Sequence, residues 1–193
     1  MPGLREVIRQ IHEEHVLGQP FAIKAQRHRT PVRPEAEQAR PAWYKDVKLS
    51  GDLIVENAVH NLDVCNWAAQ RNTSSRTTCT SITASSICIR ARSKDWRTAN
   101  GTWYMVFGEK GVIDLDKGRF YQHGSDEVRE LITPAVRDAG ENAMSEFYSS
   151  IREKRRPIAD VTVAATAALT AILGREAIYR RRMVTWKELG VAV

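Results

Sequence analysis

Apolar positions recur along this chain with two different periods, and each period marks out elements. Leu4, Val7, Ile8 and Ile11, with His15, fall on one face at helical spacing, which predicts an amphipathic helix from Leu4 to Val16 that Gly18 stops. Phe21-Ala-Ile-Lys-Ala-Gln-Arg27 alternates in part and reads as a strand. Gly101-Thr-Trp-Tyr-Met-Val-Phe107 is a second strand, Gly108-Glu-Lys-Gly111 a turn and Val112-Ile-Asp-Leu115 the returning strand. Lys117-Gly118 turns again into Arg119-Phe-Tyr-Gln, giving a β-meander. Asn142 to Arg155 reads as a helix with Met144, Phe147, Tyr148 and Ile151 on one face, broken by Pro157. Asp160 caps a second long helix, Val161 to Arg181, whose first half is rich in Ala and apolar residues and is expected to be buried there. Met183 to Trp186 reads as a terminal strand, and residues 126 to 138 as a linker with some helix or strand.

Two stretches fit neither period. Residues 30 to 49 carry Pro31, Pro34 and Pro41, with few apolar residues before Trp43-Tyr44, and read as a long excursion loop of the kind that often carries function. Residues 71 to 100 are rich in Ser, Thr, Arg and Cys. Thr78 to Arg90 could form one strand through its β-branched residues, though a poor one for a core. No internal repeat appears, so 193 residues read as a single domain with an atypical, disordered or degenerate segment at 71–100. A chain of this length can bury about 70% of its unfolded surface.

The polar positions converge in one place, Ser50-Gly-Asp-Leu-Ile-Val-Glu56-Asn-Ala-Val-His60-Asn-Leu-Asp63-Val-Cys-Asn-Trp67. No Pro or Gly interrupts Leu53 to Gln70, which reads as one helix with Ser50 or Asp52 as its cap. At about 100° per residue, Glu56, His60, Asp63 and Trp67 lie within a roughly 60° wedge. Val55, Ala58, Val59, Leu62, Cys65 and Ala69 form an adjoining apolar stripe, so the polar wedge borders a buried face, as the wall of a cleft would. Three readings fit. Glu56 and His60 can pair structurally one helical turn apart. Glu, His and Asp can ligate a metal, although the H-e-x-x-h order of zinc hydrolases is absent. Or His60 exchanges a proton near neutral pH while a carboxylate one turn away orients the ring and stabilises its cation.

Composition and charge narrow the classes. The formal charge is +6, but the basic residues are spread out. Their tightest runs, Arg152-Glu-Lys-Arg-Arg156 and Arg180-Arg-Arg182, end predicted helices, where cations complement the helix dipole. No nucleic-acid partner is therefore expected. Cys65, Cys79 and Cys88 are an odd set without a C-x-x-C, which argues against a disulfide framework or a structural zinc site and fits a cytoplasmic setting. Neither a signal peptide nor an apolar run approaching 18 residues is read, so no membrane association is expected. His12 and His15 read as surface or helix-end residues, and His28 has no evident partner. Gly108-Glu-Lys-Gly111 lacks the spacing and the following helix of a phosphate loop.

Gly51-Asp-Leu-Ile-Val-Glu56-x-x-x-His60-Asn-Leu-Asp63-x-x-x-Trp67 resembles the substrate-domain helix of the glucose–fructose oxidoreductase/inositol dehydrogenase/rhizopine-catabolism (Gfo/Idh/MocA) family. The flanks resemble that family in order. Leu4 to Ala25, with Leu17-Gly18-Gln-Pro at its turn, is similar to the family's helix and first strand. Trp103 to Leu115 is similar to its Gly-x-x-Gly hairpin, Asn142 to Pro157 to its helix ending in Arg/Lys and Pro, and Val161 to Trp186 to its closing helix and tail. The resemblance implies an α+β fold, an open, mostly antiparallel sheet with helices packed on one face. It also implies a homo-oligomer formed through the free sheet face. It makes His60 and Glu56 catalytic positions, with Glu56 standing where the family usually has Asp. Asp63 matches its second acidic position and counts here as a substrate-binding candidate. Trp43 and Tyr44 are candidates for stacking a sugar ring.

The family's Rossmann domain, with its Gly-rich pyrophosphate turn, has no counterpart in the sequence, and neither does the Glu-Lys-Pro whose lysine is catalytic. Glu109-Lys110-Gly111 lies in the hairpin and is not its equivalent. At 71–100 the family normally has alternating apolar strands, and a shifted reading frame would give the look found here. The expectation is a truncated or split substrate domain of an NAD(P)-dependent oxidoreductase acting on a sugar, cyclitol or related polyol, paired with a Rossmann-domain chain. NAD or NADP would serve the complete enzyme, with no cofactor-binding residues and no metal ligands in this chain alone. A catalytically inactive carbohydrate-binding or interaction module is the alternative.

Overall fold

A computed structural model describes residues 2–28, 38–69, 81–82, 101–132 and 139–191 of the chain. Helix α1 (Pro2–His12) leads into strand β1 (Pro20–His28). Three short helices follow, α2 (Ala42–Lys45), α3 (Val47–Ser50) and α4 (Asp52–Glu56), and then α5 (Val59–Ala69). The strands after it are β2 (Ser81–Ile82), β3 (Gly101–Gly108), β4 (Gly111–Asp114), β5 (Arg119–Gln122) and β6 (Val128–Glu130). Helices α6 (Ala139–Arg152) and α7 (Val161–Arg180), strand β7 (Val184–Thr185) and a 3-10 turn at Lys187–Leu189 close the chain.

Five strands form one open antiparallel sheet in the order β1-β3-β4-β5-β6. Strand alternation gives it two faces. On one, Tyr104, Val106, Ile113 and Phe120 are buried against Leu4, Val7, Ile8 and Ile11 of α1 and Ala68 of α5. On the other, register aligns Ala22, Phe107, Val112, Tyr121 and Val128 in a row crossing all five strands. The next row holds Lys24, Met105, Asp114, Arg119 and Glu130, with a 2.7 Å Arg119–Glu130 ion pair across β5 and β6. The fold is therefore α+β, with α1 and α5 on one sheet face. Helix α7 packs over α5 and α4, outside that layer. It makes a second small core, Leu173, Ala177, Val184 and Trp186, and β7 at its far end pairs with Ser81–Ile82.

Helix α1 stops at His12, earlier than its apolar face predicts. His15 adopts a left-handed backbone (φ 51°), which turns Leu17 into the core, fully buried, and leaves His15 exposed. His12 is not a bare surface residue, because its Nε2 lies 3.2 Å from the Ala68 carbonyl oxygen and joins α1 to the end of α5. In the Gly108–Gly111 hairpin a Cβ on Gly108 would meet the Leu17 carbonyl oxygen at 2.5 Å, and one on Gly111 the Tyr121 carbonyl oxygen at 2.2 Å. Close backbone approach requires both glycines. The turn is further fixed by Glu109, which accepts the Gln19 amide at 3.0 Å, and by Lys110, which donates to the His15 carbonyl at 3.1 Å. Glu109 and Lys110 thus lock the hairpin to the α1–β1 connection.

Asp160 caps α7 as predicted, accepting the Thr162 and Val163 amides at 2.8 and 3.0 Å. These bonds and Arg156 hold its carboxyl below the usual range. The buried part of α7 is displaced from the prediction. Residues 161–165 are exposed, and burial runs from Ala167 to Ala177. Apolar composition marks that helix as core-forming but does not say which turns reach the core. This 20-residue helix holds an 18-residue window of mean hydropathy 1.4 and is long and apolar enough to cross a bilayer, which the sequence reading did not anticipate. Here they pack on α4 and α5. The basic runs are tied to carboxylates, Arg155 to Glu146 and Glu153, Arg156 to Asp160, Arg180 to Glu176 and Arg182 to Glu188. Residues 30–37, 133–138 and all of 71–100 except Ser81–Ile82 lie outside the described residues, and with them most of the strand predicted from Thr78 to Arg90.

Candidate functional site

The stretch predicted as one helix from Leu53 to Gln70 folds as two. Gly51 (φ 79°) and Asp52 (φ 77°) both take left-handed backbone conformations that turn the chain into α4. Gly51 occupies the cap position itself, and both predicted oxygens accept first-turn amides around it, the Ser50 hydroxyl that of Asp52 at 3.3 Å and the Asp52 carboxylate that of Leu53 at 2.5 Å. The Tyr179 hydroxyl at the end of α7 donates to the Asp52 carboxylate and fixes the start of α4 to the outer helix. At Asn57–Ala58 the ladder slips. The Ala58 amide reaches back five residues to the Leu53 carbonyl at 3.1 Å, and the Asn61 amide only three, to Ala58, at 2.9 Å. Asn57, a weak helix former, sits at the break. The apolar stripe is only half-buried, and the most enclosed positions in α4 and α5 are Ile54, Asn61, Asn66 and Ala68. Asn66 is fixed by donating to the Thr170 hydroxyl at 3.0 Å, which pins α5 to α7.

The break redistributes the polar wedge. Glu56 ends α4, where it receives the hydroxyl of Tyr44 from α2. Burial first, and then this bond to Glu56, push the Tyr44 phenol up. Among the described residues, Oε2 of Glu56 is buried without a partner. Arg40, which the sequence reading missed, lies with its guanidinium 4.1 Å from the Tyr44 ring centroid. An Arg followed by Pro in a loop carries no signal for such a stack. Trp43 meets Tyr44 edge-on at 5.8 Å and is half exposed. His60 is exposed near the start of α5. Its electrostatic neighbour is Asp63, one turn along, whose carboxyl is pushed up by burial, an effect that the charge on His60 opposes. The five candidate residues thus fall into two groups, Trp43–Tyr44–Glu56 and His60–Asp63, that meet at the break. An exposed imidazole beside a half-buried carboxylate is placed to meet a bound hydroxyl.

Asp63 also faces a cleft of about 700 Å³ between α5, α6 and the start of α7. Trp67, Phe147, Ser149, Ile158 and Val163 line it with Asp63. The α6 side of this cleft was not legible in the sequence, because no pattern there distinguishes a cleft wall from a core face. Among the described residues no three of His, Cys, Asp and Glu converge as a metal ion would need. The Gly108–Gly111 turn closes an antiparallel hairpin and leads into β4, not into a helix N-terminus that could receive a pyrophosphate.

The profile of the oxidoreductase family C-terminal alpha/beta domain (Gfo/Idh/MocA) matches residues 9–133. The chain belongs to this family. No curated protein sequence matches it. Among solved structures, an oxidoreductase from Thermotoga maritima superposes with a TM-score of 0.65 at 16% identity, over 95% of this chain and 60% of that one. An aldose–aldose oxidoreductase from Caulobacter crescentus, complexed with glycerol, superposes at 0.63 and 14% identity, over 94% and 60%. A UDP-N-acetylglucosamine 3-dehydrogenase from Acidithiobacillus ferrooxidans superposes at 0.56 and 16% identity, over 90% and 60%. At these identities the structures establish a shared fold, and the chain spans about three-fifths of their length.

Proposed function

We propose that this family domain is the substrate half of an NAD(P)-dependent oxidoreductase acting on a sugar, cyclitol or related polyol, with the dinucleotide half supplied from outside these residues. The observation that carries the reading is His60, exposed beside the half-buried Asp63 on a helix seated against the sheet. In this reading the His60 imidazole accepts the proton of the substrate hydroxyl and returns it in the reverse direction. Asp63 stabilises the imidazolium, and Glu56, anchored by Tyr44, supplies a second carboxylate at the break between α4 and α5. The names of two solved relatives, which act on aldoses and a nucleotide sugar, support the substrate class.

The reading extends to the assembly. The row Ala22, Phe107, Val112, Tyr121 and Val128, on the sheet face that no described helix covers, supports a homo-oligomer, and the three cysteines without a C-x-x-C support a cytoplasmic setting. A catalytically inactive polyol-binding module is the second reading. It is favoured by one observation, the bond that commits Glu56 to Tyr44 on the α4 side of the helix break. Co-expression with the product of the adjoining upstream reading frame separates the two. The first reading expects polyol-dependent reduction of NAD or NADP only when both chains are present, and its loss in His60→Ala. Full turnover in His60→Ala removes His60 from the mechanism, and saturable NAD(H) binding by this chain alone contradicts the split.

A further inference from the structure

We propose that the corner formed by α2, α3 and the start of α4 is a docking surface for an anionic lipid bilayer, with Trp43, Val47, Leu49 and Leu53 entering the headgroup layer and Lys45 and Lys48 meeting lipid phosphates. This corner lies outside the cleft beside Asp63, and its chemistry does not depend on which substrate the domain takes.

Helices α2 and α3 contain no buried residue, although they hold a Trp, a Val and a Leu. Leu49 is 68% exposed, Trp43 50%, and Val47 and Leu53 43% each. Single apolar side chains on a surface are ordinary, but four large ones between residues 43 and 53 make a patch. Polar bonds hold these helices in place. Tyr44 gives its hydroxyl to Glu56 and its ring face to Arg40, and Asp46 accepts the Lys48 amide at 2.8 Å. Lys45 and Lys48 stand among the apolar side chains, exposed and without an ion pair among the described residues. Of the two acids in the same stretch, Asp46 caps α3 and Asp52 accepts the Tyr179 hydroxyl.

Exposed aliphatic and aromatic side chains with lysines between them are what an interfacial segment presents to a bilayer. A tryptophan settles at the headgroup level, and each lysine close to an anionic surface adds attraction. The formal charge of +6 draws the whole chain the same way. Size selects the occupant. A standard protein interface engages ~20–30 residues a side, which this corner does not offer, whereas a fluid lipid surface needs no matching shape. The sequence reading expected no membrane association because it looked for leaders and spanning segments. Positions 43, 47, 49 and 53 share no period, since Asp46 and Gly51 divide them among three short helices.

Sedimentation of the full chain with sucrose-loaded vesicles tests the surface. Vesicles of phosphatidylcholine mixed with phosphatidylglycerol should carry the chain down, and vesicles of phosphatidylcholine alone should not. Raising salt from ~0.05 to ~0.5 M should weaken binding by about tenfold or more. Leu49→Asn and the double variant Lys45→Glu/Lys48→Glu are each expected to weaken it by about tenfold or more. All three positions are exposed, and circular dichroism checks that the variants fold. Ile151→Asn and Val161→Asn alter a separate exposed apolar region, on α6 and at the start of α7, and should bind as the wild type does. Equal binding to both kinds of vesicle, no binding to either, or binding lost in Ile151→Asn or Val161→Asn but kept in Leu49→Asn overturns the surface. So does self-association of the lipid-free chain that Leu49→Asn abolishes, which would assign the patch to a second copy.

Discussion

Tyr44 and Asp63 carry the two site carboxylate environments that a substitution can read out. Tyr44→Phe deletes the hydroxyl that binds Glu56 and leaves a largely enclosed carboxylate without its donor. The expected cost is about 1–2 kcal/mol in urea denaturation, and Glu56→Gln in the same background should return part of it by removing the charge. Asp63 bears on pH. Burial raises its carboxyl above the ordinary 3.8, so the folded chain holds that proton more tightly than the unfolded chain. Ionising Asp63 therefore costs stability. The cost is absent at pH values below 3.8, where both states are protonated, grows as pH rises through the interval up to the folded value, and is complete above it. The thermal midpoint of Asp63→Asn relative to wild type should accordingly climb as pH rises from about 3 to about 6. A flat or falling difference would show that the pull of His60 outweighs burial.

At the scale of elements, the hairpin and the outer helix make the firmest claims. Gly111→Ala would drive a Cβ into the backbone of β5, so a loss of about 1–3 kcal/mol is expected in denaturant unfolding. Leu173→Ala in α7 opens a fully buried position and should cost about 2–5 kcal/mol, with Trp186 fluorescence reporting the loosened core around it. The hairpin, the α7 cap and the apolar face of α1 were all legible, because each depends on residues within a few positions of one another. The break at Asn57–Ala58 was not. Nothing between Leu53 and Gln70 forbids a helix locally. Two distant anchors hold the halves instead, Tyr179 on Asp52 and Thr170 on Asn66, and the ladder slips between them. Glu56 and His60, neighbours on a continuous helix, consequently find different partners, Tyr44 and Asp63.

For the whole molecule, the uncovered sheet face is the surface on which assembly can be tested. Tyr121→Lys puts a charge in the middle of the apolar row while leaving the helix-covered face untouched. If the face joins subunits, light scattering should find the variant at monomer mass and the wild type above it. An identical mass for both would place the contact elsewhere. The sequence by itself determined the class of this protein. Strand alternation, helical periodicity and the order of short motifs are local and survive in the chain, so the antiparallel sheet, the flanking helices and the family resemblance could all be read there. Tertiary structure alone decided how the site residues are grouped, which turns of α7 are buried and where a cleft opens. These depend on side chains more than a hundred positions apart, Asp52 with Tyr179 and Asn66 with Thr170, and such pairings leave no periodic trace in sequence.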